Sequence, residues 1–264
     1  MVLSFENKHI LVVGAATGIG AALAALLRAK GADVVGMDYQ KMEGSSSITM
    51  DLAQPESIES AVRKLPADID SVAYVAGVPA TADPADILQV NFLGLRSFFL
   101  ALRPKLSAQS SAVFVSSITA RRCDWSDEDL EALIAAPTKV ALEMLRSRGL
   151  DGVAAYQLSK RTLNYWVKSR LPAFVAEGIR ANIVSPGPVQ TKILKDFEES
   201  MGRSRIEAAT KLVGRHGQPG EIAEVITFLL SEHACWISGE DLRVDGGFSA
   251  LREANDHGPG LDLG

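Results

Sequence analysis

The sequence predicts a doubly wound α/β fold: one domain on a parallel sheet of about seven strands, with helices on both faces and a helical insertion after the fifth strand. Three observations predict it. Short apolar runs alternate with longer helical patterns along the whole chain. The runs lack strict apolar-polar alternation, as strands covered on both faces must. No internal repeat and no Gly/Pro/Ser-rich linker divides the 264 residues, a length that one large α/β domain accommodates.

The first strand, Ile10–Val13, runs into Gly14-Ala15-Ala16-Thr17-Gly18-Ile19-Gly20, and the helix Gly20–Lys30 follows. Glycines let the backbone turn tightly and let a ligand approach where a Cβ would otherwise stand. The helix N-terminus offers free N–H groups and a positive dipole end to a pyrophosphate. The spacing G-x-x-x-G-x-G is weak alone and gains weight from its place between the first strand and the first helix. No Lys-Ser or Lys-Thr follows, which excludes a Walker phosphate loop. The second strand, Asp33–Met37, is closed by Asp38. A carboxylate there can bond both ribose hydroxyls of an adenosine and would repel a phosphate in their place; the bland reading is a solvated strand end. The third strand, Ser47–Met50, leads to Asp51-Leu52, which either contact an adenine or only cap the helix Pro55–Leu65.

The fourth strand, Ser71–Val75, is followed by Ala76-Gly77 and by a helix over Ile87–Leu106 that contains Asn91. The fifth, Ala112–Ser116, delivers Ser117 to the carboxyl edge of the sheet, where doubly wound sheets bind ligands. Thr119–Val153 carries helical patterns of its own. Ser126 reads as a helix cap before an acidic first turn, Leu130, Leu133 and Ile134 share a face, Pro137 ends the helix, and Val140, Met144 and Leu145 begin another. The helix Tyr156–Glu177 opens with Tyr156-Gln157-Leu158-Ser159-Lys160, which places Tyr156 and Lys160 on one face. A tyrosine with a pKa near ~10 is a poor base at neutral pH. A nearby ammonium lowers that pKa, so the phenol can exchange a proton with an alcohol or carbonyl oxygen. The sixth strand is Arg180–Val184. In Thr191–Val213, Ile193, Leu194, Phe197 and Met201 have helical spacing and read equally as core or as a lid over the cleft. The helix Gly220–Leu230 and the strand Glu240–Val244 complete the sheet. The polar tail Ser249–Gly264 is expected to be mobile unless docked on a neighbour.

Taken together and in order, the glycine turn, Asp38, Asn91, Ser117, Tyr156-x-x-x-Lys160, Pro186-Gly187 and Asp245-Gly246-Gly247 resemble the short-chain dehydrogenase/reductase family over roughly residues 7–248. The resemblance implies a Rossmann fold and an NAD-dependent oxidoreductase acting on an alcohol or ketone. Tyr156 would be the acid/base. Lys160 would lower its pKa and bind the nicotinamide ribose, Ser117 would orient the substrate oxygen, and Asn91 would hold a water linking Lys160 to solvent. Gly14, Thr17, Gly18, Ile19, Gly20, Asp38, Asp51, Leu52, Ala76 and Gly77 would bind the dinucleotide. Pro186, Gly187, Val189 and Thr191 would cradle its nicotinamide. Of the adjacent serines, Ser117 rather than Ser116 aligns with the family's catalytic serine. The chain departs from the pattern at Val13, where Thr is frequent, and at Val75, where Asn is usual. The 39 positions from Ser117 to Tyr156 (156 − 117) also exceed the common spacing. With Ala76-Gly77-Val78-Pro79-Ala80-Thr81-Ala82-Asp83-Pro84, that length resembles a narrower branch, which includes bacterial coniferyl-alcohol and 3α-hydroxysteroid dehydrogenases, the former more closely. Homodimers or homotetramers are common in the family. Two competing readings stay open: an NADP-linked carbonyl or ketoacyl reductase, and a dinucleotide sensor without chemistry.

Composition narrows the classes. A net charge of −5 leaves no basic footprint for nucleic acid or an anionic membrane. His9, His216, His233 and His257 show no ligand spacing, and Cys123 and Cys235 form no CxxC, so no metal is expected. No signal peptide or spanning segment is read from the sequence, and a reduced, cytoplasmic setting is expected. Trp125, Trp166 and Trp236 read as packing or interface groups, with Trp125 also placed to line the cleft. Arg121-Arg122 reads as a solvated pair.

Overall fold

The computed structural model describes residues 3–43, 46–191, 194–202 and 210–256. Its strands are β1 (His9–Val13), β2 (Asp33–Asp38), β3 (Ser47–Thr49), β4 (Ile69–Tyr74), β5 (Leu106–Val115), β6 (Arg180–Pro186) and β7 (Asp241–Val244). They form one seven-stranded sheet in the order β3-β2-β1-β4-β5-β6-β7, and every neighbouring pair is parallel. Each predicted strand is present. β5 starts at Leu106, six residues before the predicted Ala112 (112 − 106), because its first residue already pairs with Ile69 across a register irregularity. The order reverses between β1 and β4, so the loops leaving these two strands diverge and open a crevice at their carboxyl ends.

The principal helices are α1 (Gly18–Ala29), α2 (Pro55–Arg63), α3 (Pro84–Leu88), α4 (Leu95–Leu102), α5 (Asp127–Ala135), α6 (Thr138–Ser147), α7 (Gly152–Ser169), α8 (Leu171–Ala176), α9 (Leu194–Met201), α10 (Pro219–Leu230) and α11 (Phe248–Asp256). Alternate β1 side chains feed two cores. Ile10 and Val12 pack with Leu23 and Leu27 of α1 and with Ile222 and Ile226 of α10. Leu11 and Val13 belong to the opposite core, with Phe98 and Phe99 of α4 and Leu158, Leu163 and Trp166 of α7. Both faces are thus covered, which is why the strands read as unbroken apolar runs.

Two predicted helices are subdivided. The span predicted as one helix over Ile87–Leu106 is a helical run, Pro84–Lys105, interrupted by a π-helical turn at Gln89–Gly94. By length and composition this run could cross a membrane, which the sequence reading did not foresee. Yet Ile87, Leu88, Phe92, Leu93, Leu95, Phe98 and Leu102 are buried in the core against the sheet. The helix predicted over Tyr156–Glu177 begins earlier, at Gly152, where the Asp151 carboxylate accepts the Ala154 N–H at 2.8 Å. It breaks after Ser169 because Pro172 lacks the N–H that would continue the ladder, and α8 starts there.

The insertion folds as two helices. The Ser126 hydroxyl accepts the Asp129 N–H at 3.1 Å and caps α5. Pro137 separates α5 from α6. Helix α5 packs on α7 and α6 on α3, with an Arg161–Asp127 ion pair of 2.8 Å and an Arg170–Glu131 pair binding the insertion to α7 and its C-terminal end. Trp125 is buried beneath the Arg148 guanidinium, 4.8 Å from its ring centroid, and does not line the crevice. The tail differs from expectation: its first part forms α11, and Glu253 takes ion pairs from Arg121 at 3.1 Å and Arg243 at 2.7 Å. Arg121 is therefore paired, not solvated alone. Residues 257–264 lie outside the described residues. Trp236 is 99% exposed among the described residues.

Trp166 is the hub of the core beneath α7. Its ring meets Phe99, Phe114 and Phe174 edge-on at centroid distances of 5.7, 5.6 and 5.6 Å, geometry that adds to area burial. Trp166→Ala is expected to destabilise the fold by about 3–5 kcal/mol, read as a lowered denaturant midpoint. A loss of less than 1 kcal/mol would contradict this role.

Candidate active site

The crevice is opened by the turn from β1 into α1. Gly14 has φ +91°, and a Cβ there would lie 2.5 Å from the Ala76 nitrogen. Ala76 in turn donates its N–H to the Val13 carbonyl at 2.9 Å. The loops after β1 and β4 therefore pass in contact, which a side chain at position 14 would prevent. A Cβ on Gly20 would strike the Gly14 carbonyl. Thr17 caps α1 without a side-chain capping bond, so the first turn keeps donors for a ligand.

Asp38 ends β2 beside this turn. Its two oxygens accept the Ala16 and Gln40 N–H groups, each at 3.0 Å. The carboxylate is thus fixed against the glycine turn while keeping lone pairs for further donors. Asp51 follows β3, and its carboxylate accepts the Ala53 N–H at 2.8 Å. That bond closes a turn ahead of α2 and is not the helix cap of the bland reading, since Gln54 is the N-cap and makes no side-chain capping bond. Asp51 and Leu52 line the crevice with Asp38, Ala76 and Gly77.

The other half of the crevice lies over β5 and β6, lined by Gly18, Ile19, Gly77, Ser117, Tyr156, Lys160, Pro186, Gly187, Val189 and Thr191 among others. Tyr156 and Lys160 project from the second and third turns of α7, and both are buried. The Ser117 hydroxyl hydrogen-bonds the Tyr156 phenol and accepts two bonds from Thr119: the backbone N–H at 3.2 Å and the hydroxyl at 2.9 Å. Ser116 is turned away and bonds the Lys160 carbonyl at 3.4 Å. The Lys160 ammonium donates to the Val115 carbonyl at 3.0 Å and stands 5.7 Å from the Tyr156 ring centroid.

Asn91 sits in the π-helical turn, a distortion that recurs at functional sites. It is fully engaged: Oδ1 accepts the Val78 N–H at 2.7 Å, and Nδ2 donates to the Val78 carbonyl at 3.1 Å and to Ser159 Oγ at 3.3 Å. A Cβ on Gly77 would lie 3.1 Å from Asn91 Oδ1 and 3.5 Å from Lys160 Nζ, so Gly77 is the point where Asn91 and Lys160 meet. Downstream of β6, Gly187 donates to the Val244 carbonyl at 3.1 Å, and the Gly217 N–H bonds the Pro188 carbonyl at 3.0 Å, which holds this loop against the sheet end. Thr191 faces Gly18, its methyl 3.2 Å from where a Gly18 Cβ would stand.

The electrostatics differ from the sequence expectation. Burial pushes the Tyr156 phenol well above its ordinary value, and the Ser117 hydrogen bond opposes this. Burial also pushes Lys160 down to about 8. Desolvation, which penalises both charged forms, therefore outweighs the attraction expected between phenolate and ammonium.

Every predicted site residue lies on or immediately beside this one crevice. The sequence reading missed Val78, Ile118 and Thr119, which a stricter search of residues following strand ends would have found. Of the positions read as core or lid, Leu194 at the start of α9 is buried and lines the crevice. Ile193 and the side chains of Phe197 and Met201 lie outside the described residues. A glycine cradle closed to any Cβ, an uncapped helix start and a carboxylate 18 positions beyond Gly20 (38 − 20) fit an extended dinucleotide.

A family model described as short chain dehydrogenase matches residues 8–124, and one described as enoyl-(acyl carrier protein) reductase matches residues 137–249. Among curated relatives, coniferyl-alcohol dehydrogenase of Pseudomonas sp. (strain HR199 / DSM 7063) is 32% identical over 256 residues, covering 94% of this chain and 99% of the relative. The 3-alpha-hydroxysteroid dehydrogenase/carbonyl reductase of Comamonas testosteroni is 29% identical, covering 92% and 96%. The crystal structure of 3-alpha-hydroxysteroid dehydrogenase from Pseudomonas sp. B-0831, complexed with NADH, superposes with a TM-score of 0.83 at 32% identity and covers 94% of this chain and 99% of that one. Fold, motif order and these likenesses agree: the chain belongs to the short-chain dehydrogenase/reductase family of oxidoreductases.

Proposed function

We propose that this oxidoreductase is an NAD-dependent dehydrogenase that oxidises the CH–OH group of an apolar, ring-bearing alcohol and reduces the matching carbonyl. The observation that carries the reading is the Ser117–Tyr156 hydrogen bond on the crevice wall, with Lys160 one helical turn along α7. Apolar side chains around it, Val78, Ile118, Pro188, Val189 and Leu194, suit a hydrophobic ring better than a charged substrate. The relatives that act on coniferyl alcohol and on a hydroxysteroid support that substrate class. Asp38 supports NAD over NADP, because its carboxylate faces the crevice where a 2′-phosphate would be repelled.

An oxidised nicotinamide, held by Pro186, Gly187, Val189 and Thr191, would supply the hydride acceptor when bound. Ser117 orients the substrate oxygen. Tyr156 takes the hydroxyl proton as the C–H bond breaks, and returns it in the reverse direction. Lys160, held by the Val115 carbonyl, stabilises the phenolate and would hold the nicotinamide ribose, while Asn91 bonds Val78 and Ser159. The sensor reading needs only the glycine turn and leaves Ser117 and the buried Tyr156–Lys160 pair without a task.

Three outcomes test this reading. Tyr156→Phe is expected to lower kcat for alcohol oxidation about 10²–10⁴-fold while NADH binding, followed by fluorescence, is retained; unchanged turnover would favour the sensor. Asp38→Ala is expected to shift the NAD/NADP affinity ratio about 100-fold toward NADP; an unchanged ratio would overturn the NAD assignment. The third outcome follows from linkage. Lys160 carries a folded-state pKa of about 8, below the unfolded value. The unfolded chain therefore binds more protons from about pH 8 to about pH 10.5, and the destabilisation, complete below pH 8, fades across that window. Lys160→Met is expected to stabilise the free protein by about 2 kcal/mol at pH 7, a gain that shrinks toward pH 10 in denaturant titrations. A variant less stable than wild type at pH 7 would contradict the proposed burial cost.

A further inference from the structure

We propose that Thr119 is a positioning residue that fixes the direction of the Ser117 hydroxyl, so that Ser117 can only donate toward Tyr156 and the reacting oxygen. The proposal rests on the dehydrogenase reading above and deepens it. A serine hydroxyl has one proton and two acceptor lone pairs. Both bonds from Thr119 end on Ser117 Oγ: the backbone N–H at 3.2 Å and the hydroxyl at 2.9 Å. The N–H cannot be reversed, since a backbone nitrogen only donates. With both acceptor positions filled by Thr119, the single Ser117 proton is left for its other partner, the Tyr156 phenol.

The local backbone builds this arrangement. Ser117 caps the 3₁₀ turn Ile118–Arg122, and the turn returns the Thr119 hydroxyl to the residue two positions before it. Ser116 takes no part, since its hydroxyl is engaged by the Lys160 carbonyl. A hydroxyl that can only donate stabilises negative charge on the oxygen it faces, whether the phenolate or a developing alkoxide, and a freely rotating one does so only part of the time. Thr119 acts through Ser117, so removing its hydroxyl affects kcat more than substrate KM.

The test pairs kinetics with a direct view of the proton. Thr119→Val, close in shape and without the hydroxyl, is expected to lower kcat about tenfold with substrate KM and NADH affinity little changed. Thr119→Ser is expected to recover most of the loss. In a Ser117→Ala background, Thr119→Val is expected to cost nothing further; an equal loss there would assign Thr119 a different role and overturn the proposal. Neutron diffraction from deuterium-exchanged wild-type crystals is expected to place the Ser117 deuteron toward Tyr156 and the Thr119 deuteron toward Ser117. A Ser117 deuteron pointing at Thr119 would overturn the proposal whether or not any alcohol is oxidised. Absence of turnover with every alcohol, beside the expected deuteron positions, would instead sink the dehydrogenase reading and leave the hydroxyl geometry standing.

Discussion

The Ser117–Tyr156 hydrogen bond lies beside a lysine whose ammonium is buried against the Val115 carbonyl, and the crevice wall holds the three groups close while burying the phenol and the ammonium. Burial makes each charged form costly, raising the phenol and lowering the lysine. An isolated tyrosine so placed would hold its proton. A donated hydrogen bond and a cation brought into the same dry space lower that cost, and in a low dielectric such interactions are strong. On the proposed reading the fold tolerates an unfavourable lysine because the charge chemistry depends on it, a trade of stability for function.

The scaffold supplies the precision. Tyr156 and Lys160 are one turn apart on a helix that the Trp166 aromatic cluster anchors in the core. Ser117 leaves the end of a central strand paired on both sides. The groups proposed to react therefore stand on well-anchored elements, with the insertion packed on α7 and α3, the start of α9 lining the cleft, and α11 fixed by Glu253.

Much of this was legible in the sequence, for physical reasons that differ by element. Strands covered on both faces must be largely apolar, so β1, β4, β5 and β6 stand out most, while the edge strands β3 and β7 carry polar residues and bury none fully. Strand ends meet at the switch point, so Gly14, Asp38, Ser117 and Pro186 could be placed together before any coordinates. Ser126 and Pro137 mark helix ends by hydrogen-bond chemistry alone. Other features have no local signature. Gln89–Gly94 reads as ordinary helix, and no local signature marks its π-helical turn, from which Asn91 bonds Val78. The docking of α11 depends on Glu253 meeting Arg121, 132 residues away. The sequence pattern predicted that Lys160 would lower the tyrosine pKa, but the dominant desolvation follows from burial, which spacing does not reveal.

The central claim is that the buried phenol becomes a base when the dinucleotide is in place. Ultraviolet difference titration of phenolate in the presence of saturating NAD, comparing wild type with Tyr156→Phe, measures this directly. The account predicts one additional phenolate in wild type, ionising below the ordinary tyrosine value of about 10 and absent from the variant. Superimposable titration curves below that pH would contradict it.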